Sequence, residues 1–223
     1  MNRIYIPAKD LDDWRRLLAD PETQWRDDRS AELLARAWME ADGFPLAVKR
    51  ALHNSGHELF RDMQILLAIP QYMVPPPGDS AATKSDLFVL AESNGQLTVF
   101  MVEARGGESF GPTVAEWLQK DATEGEKSQL EYLNSILGLQ EQQVGDIRYR
   151  LLQSTASALI EAGRYRANNA VMLVHSFNEN YEGSDDFVAF TKCYGLTPEP
   201  NRLHFIGYVN KIRLFLGWIA DFE

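Results

Sequence analysis

Asp86, Glu103, Lys84 and Arg105 frame one stretch of the chain, KSDLFVLAESNGQLTVFMVEAR, that reads as a hairpin. Asn94-Gly95 is a strong signal for a two-residue turn, and apolar residues run into it from Leu87 and out of it to Val102. With that turn as the tip, Asp86 opposes Glu103 and Lys84 opposes Arg105. All four side chains then share one face, with the opposing Cβ atoms about 5 Å apart. Two carboxylates at that separation repel each other, so positive charge must sit between or beside them. Lys84 and Arg105, diagonal to Glu103 and Asp86, supply it if the cluster is a structural pair of ion pairs. A divalent cation supplies it if the cluster does chemistry, since Mg²⁺ is held by one or two carboxylates and keeps waters for substrate oxygens.

The rest of the chain must supply a scaffold for that hairpin. Its 223 residues suffice for one α/β core, and eleven Phe, eight Tyr and five Trp argue against disorder. Cys193 is the only cysteine, which excludes an internal disulfide, a zinc ribbon and a redox pair, and points to a reducing cytoplasm. The start, MNRIYIPAKDLDD, has no apolar signal region, and no apolar run is long enough to span a bilayer, so no membrane role is expected. A net charge of −10 opposes non-specific binding to nucleic acid. The charge is uneven: residues 147–175 carry Arg148, Arg150, Arg164 and Arg166 against Glu161 alone, a pattern that reads as a solvated helix face or, less commonly, a local basic strip.

Helical periodicity comes first along the chain. Leu11, Trp14, Leu17 and Leu18 share a face; Ser30 is placed to cap a helix carrying Leu33, Leu34, Ala37 and Trp38; Pro45 opens another through Leu52. MQILLAI, from Met63 to Ile69, reads as a buried strand ahead of the hairpin. Beyond Gly106-Gly107, helices are expected after Pro112, over Glu126–Leu137 and over Arg148–Ala162. AVMLVH, from Ala170 to His175, is a strand buried on both faces, with His175 a satisfied core histidine. A helix capped by Ser184 follows, and then two strands joined near Asn210. This order describes a single domain, 1–223: a helical N-terminal extension with the first core helix over 1–56, and an α/β core of mixed sheet and flanking helices over 57–223.

An Asp opening one hairpin strand, an E-x-K at the end of the next and an αβββαβ order resemble the PD-(D/E)xK nuclease superfamily, with its restriction-endonuclease-like fold. Here the E-x-K position reads Glu103-Ala104-Arg105. More narrowly, VEARGGESFGPTVAEWL, RYRLLQSTASALIEA and AVMLVHSF are similar to an uncharacterised bacterial family whose members typically read V-E-G-K-V-D-E-x-F-G. The superfamily resemblance implies a phosphodiesterase in which Asp86, Glu103 and the Ala104 carbonyl hold Mg²⁺ or Mn²⁺, with nucleic acid as substrate and Glu58, in HELF, as a candidate further acid. The departure is Arg105. A Lys there can orient or activate water, whereas a guanidinium stays protonated and serves at most as a phosphate clamp. Lys84 is the nearest substitute ammonium and Lys127 a weaker one. The alternative expectation is a catalytically silent relative, its carboxylates closed in ion pairs, that works through a partner or ligand surface.

Overall fold

Asn94 and Gly95 both take positive φ, 52° and 73°, the left-handed pair of a tight hairpin turn. They join β2 (Thr83–Ser93) to β3 (Gln96–Arg105) in the expected register, from Ser93 opposite Gln96 to Leu87 opposite Val102. The computed structural model describes residues 8–26, 29–75, 82–119, 122–140 and 142–222. Within them β1 (Gln64–Val74) pairs antiparallel with β2 at one sheet edge, while β4 (Asn169–Ser176) runs parallel to β3 and to β6 (Ile212–Ala220). Antiparallel to β6, β5 (Arg202–Val209) closes the order β1-β2-β3-β4-β6-β5. Every residue of β4 is buried, as its unbroken apolar run requires at the centre of a mixed sheet.

Strands apolar on both faces need two covering layers, and the chain supplies one from each side of the hairpin in sequence. From the N-terminal part come α1 (Leu11–Arg15), α2 (Pro21–Gln24), α3 (Ser30–Glu40) and α4 (Leu46–Asn54). Trp14, Trp38 and Val48 from α1, α3 and α4 pack with Phe100 and Phe215 of the sheet, so this segment is one wall of the core and not an appendage to it. The other face carries α5 (Val114–Leu118), α6 (Glu124–Leu137), α7 (Tyr149–Arg164) and α8 (Ser184–Lys192). There Leu152, Ala156 and Leu159 of α7 meet Phe88, Met101 and Met172.

Two expected caps differ in detail. Ser30 is the first helical residue of α3 and not its cap; its backbone N–H and its hydroxyl both donate to Glu108 at 3.0 Å. Ser184 likewise begins α8 behind Gly183, which takes the left-handed cap position at φ +84°. Among the described residues no helix is long and apolar enough to cross a membrane.

Candidate functional site

The hairpin ladder stops one rung short of the acids. Pairing of β2 with β3 ends at Leu87 and Val102, and the β1–β2 register passes from Pro70 opposite Leu87 to Tyr72 opposite Ser85, with Gln71 at φ 52° between them. Asp86 is thereby left out of both ladders, and its Oδ2 accepts the Ala104 N–H at 2.9 Å in place of a backbone partner. Lys84 does not oppose Arg105 as the ideal register required. It pairs with Met73 of β1, and its ammonium donates to the Leu17 carbonyl at 3.3 Å. Past Val102, β3 continues against β4, with Glu103 opposite Val174 and Arg105 opposite Ser176.

Glu103 is fully buried, and three groups surround it. Arg150, in the first turn of α7, donates Nε to Glu103 Oε2 at 2.8 Å; one turn later the Ser154 hydroxyl donates to Oε1; and Arg105 brings its Nη2 to 3.7 Å from Oε2. The same Arg105 guanidinium donates Nη1 to the Ala104 carbonyl and holds that nitrogen 4.0 Å from Asp86 Oδ2. Its plane lies over Phe110, 3.9 Å from the ring centroid, in a cation–π contact. Phe110 is held in turn by Gly183, where a Cβ would meet the ring at 3.2 Å.

Electrostatics follow from this crowding. Asp86 keeps 26% of its side chain exposed, yet loss of water and then the Glu103 charge raise its carboxyl above the ordinary range, against the pull of Arg150 and Arg105. Burial lowers the pKa of Arg105, opposed by Glu103 and Asp86, and the strongly basic guanidinium stays charged. For Arg150, burial pulls down, but Glu103 and then Asp86 outweigh it and the proton is held more firmly. Lost hydration lowers Lys84.

Asp86, Arg105 and Arg150 open onto a cleft of about 550 Å³ at the end of the sheet, walled also by Arg29, Ser30 and Glu108. Glu58 is not brought there. It is exposed in a short 3-10 turn (Glu58–Phe60), 4.0 Å from Arg61, and borders a separate cleft with Asn94 and Arg213 at the hairpin tip. Lys127 pairs with Glu124 at 2.7 Å on α6. The reading of the arginines as a solvated face fails for Arg150, whose partner Glu103 is inside the fold. Ser154, Glu108 and Phe110 are site residues that the sequence pattern does not single out, although the E-x-F-G run Glu108–Gly111 carries two of them and puts Phe110 against Arg105.

Most acceptor atoms of the expected metal ligands already have protein donors. Glu103 Oε2 and Oε1, Asp86 Oδ2 and the Ala104 oxygen each accept from a protein donor, and among the described residues no three His, Cys, Asp or Glu side chains gather as a ligand set. On the opposite sheet face His175 is the satisfied core histidine expected. Trp38 Nε1 donates to its Nδ1 at 3.2 Å, so the proton is on Nε2, which lies 2.9 Å from Asp221 Oδ2.

No curated protein and no solved structure matches the chain. Residues 7–223 match the family described as a domain of unknown function, DUF6946, and the chain belongs to that family.

Proposed function

We propose that this protein is a catalytically silent α/β protein that works by binding a ligand or partner in the cleft at the end of β3, without a resident metal. One observation carries the reading: the Arg105 guanidinium reaches all three groups a cation would use, with Nη1 on the Ala104 carbonyl, Nη1 4.0 Å from Asp86 Oδ2 and Nη2 3.7 Å from Glu103 Oε2. A dication there would have to displace protein donors from these acceptors, because Arg105 is bonded to the Ala104 carbonyl and Arg150 and Ser154 to the two Glu103 oxygens, and the two guanidiniums would offset the attraction of the two carboxylates. The residues therefore do not fit Mg²⁺ or Mn²⁺, and an internal cation takes the place a metal would have.

The hydrolytic reading keeps one supporting observation, the partial exposure of Asp86 at the cleft mouth. Titration calorimetry with Mn²⁺, alongside cleavage assays on DNA and RNA in Mg²⁺ and Mn²⁺, separates the two. The silent reading expects no saturable Mn²⁺ binding at millimolar metal and no cleavage, in wild type and in Arg105→Lys alike. Mn²⁺ binding or cleavage by the wild type that disappears in Asp86→Asn overturns it.

A further inference from the structure

The acceptors and donors of the cleft are out of balance, and the imbalance has a direction. Its acids are mostly satisfied from within: Glu108 Oε1 takes the Ser30 N–H and hydroxyl, Glu108 Oε2 takes the Gly106 N–H at 2.7 Å, and both Glu103 oxygens are bonded to Arg150 and Ser154. Its guanidiniums are not. Among the described residues Arg150 commits only Nε, Arg29 comes no nearer than 4.0 Å to Glu108, and the buried Nε atoms of Arg29 and Arg105 have no acceptor. A buried donor without a partner is destabilising, so a cleft that keeps such donors is matched to an acceptor-rich occupant.

We infer that the cleft is a metal-independent site for a phosphate-class oxyanion, gripped by Arg150 and Arg29 from opposite walls with Arg105 behind them. Arg29 comes from the start of α3 on one sheet face and Arg150 from α7 on the other. A planar carboxylate is satisfied by one guanidinium fork, whereas a tetrahedral oxyanion accepts from two forks at different angles. The cleft has room for more than the anion alone, so a small phosphate ester fits as well as inorganic phosphate. A long nucleic acid is disfavoured by the chain's net charge of −10. Ser109, which also lines the cleft, adds a hydroxyl whose proton is free to donate to an ester or phosphate oxygen, since its Oγ accepts the Gly111 N–H.

This inference rests on the metal-free reading of the same cleft, so the test is run in EDTA and its failure is distinct from a failure of that reading, which would appear as Mn²⁺ binding. Calorimetry with inorganic phosphate, pyrophosphate and a nucleoside 5′-monophosphate, and with succinate as the carboxylate arm, gives the ligand class. Saturable binding of at least one phosphate compound, weaker binding of succinate, and weakening with added salt are expected. Arg29→Ala, a half-exposed position that leaves the buried cluster intact, should weaken binding about ten-fold or more, as loss of a charged hydrogen bond does. Arg150→Lys keeps the charge beside Glu103 but removes the fork, and should weaken it comparably. Tighter binding of pyrophosphate than of phosphate points to an ester or anhydride source; equal binding points to the free ion. Absence of saturable phosphate binding at millimolar ligand, preference for succinate, binding only to DNA or RNA oligonucleotides, or affinity unchanged by both substitutions overturns the inference.

Discussion

β3 and β4 end side by side, Ala104 opposite His175, and the two sheet faces meeting there bury ionisable groups in opposite ways. On the α3 side, His175 is kept neutral, with one donor from Trp38 and one acceptor in Asp221. Burial lowers its pKa, against the pull of Asp221. On the α7 side, Glu103 and Arg105 are both buried beside Arg150, and charge is balanced by charge. The neutral trio is closed, since each ring nitrogen has its one partner. The charged cluster is not, because its guanidiniums have donors to spare. A closed set holds the C-terminal segment to the sheet, whereas an open set at a cleft mouth is where a ligand has something to gain.

The largest effect that tests this contrast is at Glu103. Glu103→Gln keeps the size of the side chain and a Ser154 partner but strips the countercharge from Arg150 and Arg105, and breaking a buried pair from one side costs about 3–5 kcal/mol. Chemical denaturation should show a loss of that order. If the loss is below about 1 kcal/mol, the arginines are solvated without Glu103 and the cluster is not a buried one in any energetic sense.

A smaller effect is expected across the sheet. Trp38→Phe removes the donor to His175 Nδ1 and part of a buried ring, for a combined loss of about 2–3 kcal/mol at neutral pH. The pH dependence gives it a signature. Since the folded-state pKa of His175 is depressed below the ordinary 6.5, its contribution to stability is complete above that value and is lost as pH falls through the folded pKa. Without Trp38, Nδ1 is free to take the proton beside Asp221, so the folded pKa rises and less is lost in acid. Wild type and variant should therefore converge as pH drops from about 7 to about 5. A constant gap would mean that the Trp38 bond does not hold the ring neutral.

How much of this was legible depended on the range of the determinants. The Asn94-Gly95 turn and the period of the flanking residues are local, and they gave the hairpin register correctly from Ser93 to Leu87. The last rung failed because Gln71, on a third strand, breaks the ladder beside Asp86, and nothing in the hairpin itself signals that. Arg150 and Ser154 reach Glu103 across 47 and 51 residues. A signal existed in the small run Ser154-Thr155-Ala156-Ser157-Ala158, which lets α7 approach the sheet closely and places Arg150 and Ser154 one turn apart on the same side. The expected Ser30 cap fails for a similar reason, since the partner of Ser30, Glu108, is 78 residues away.

The smallest effect, and the one most able to sharpen the comparison, is at Asp86. Its folded-state pKa is raised above the ordinary 3.8, first by lost hydration and then by Glu103. A group shifted this way contributes stability that is complete below its unfolded pKa and is lost as pH rises through the folded one, so at neutral pH the ionised carboxylate is a cost. Asp86→Asn removes that cost while its amide oxygen still accepts the Ala104 N–H, at the expense of weak attraction to Arg105 at 4.0 Å. The net change at pH 7 should be stabilising and within about 1 kcal/mol, the scale of part-exposed charge interactions. In acid below about 4, where both side chains are neutral, the difference should vanish. Denaturation of both proteins from pH 3 to pH 8 measures it. If Asp86→Asn is instead destabilised at neutral pH, Asp86 is a net partner of the arginines, the charged face is as closed as the neutral one, and the donor surplus that points to a ligand is smaller than the geometry suggests.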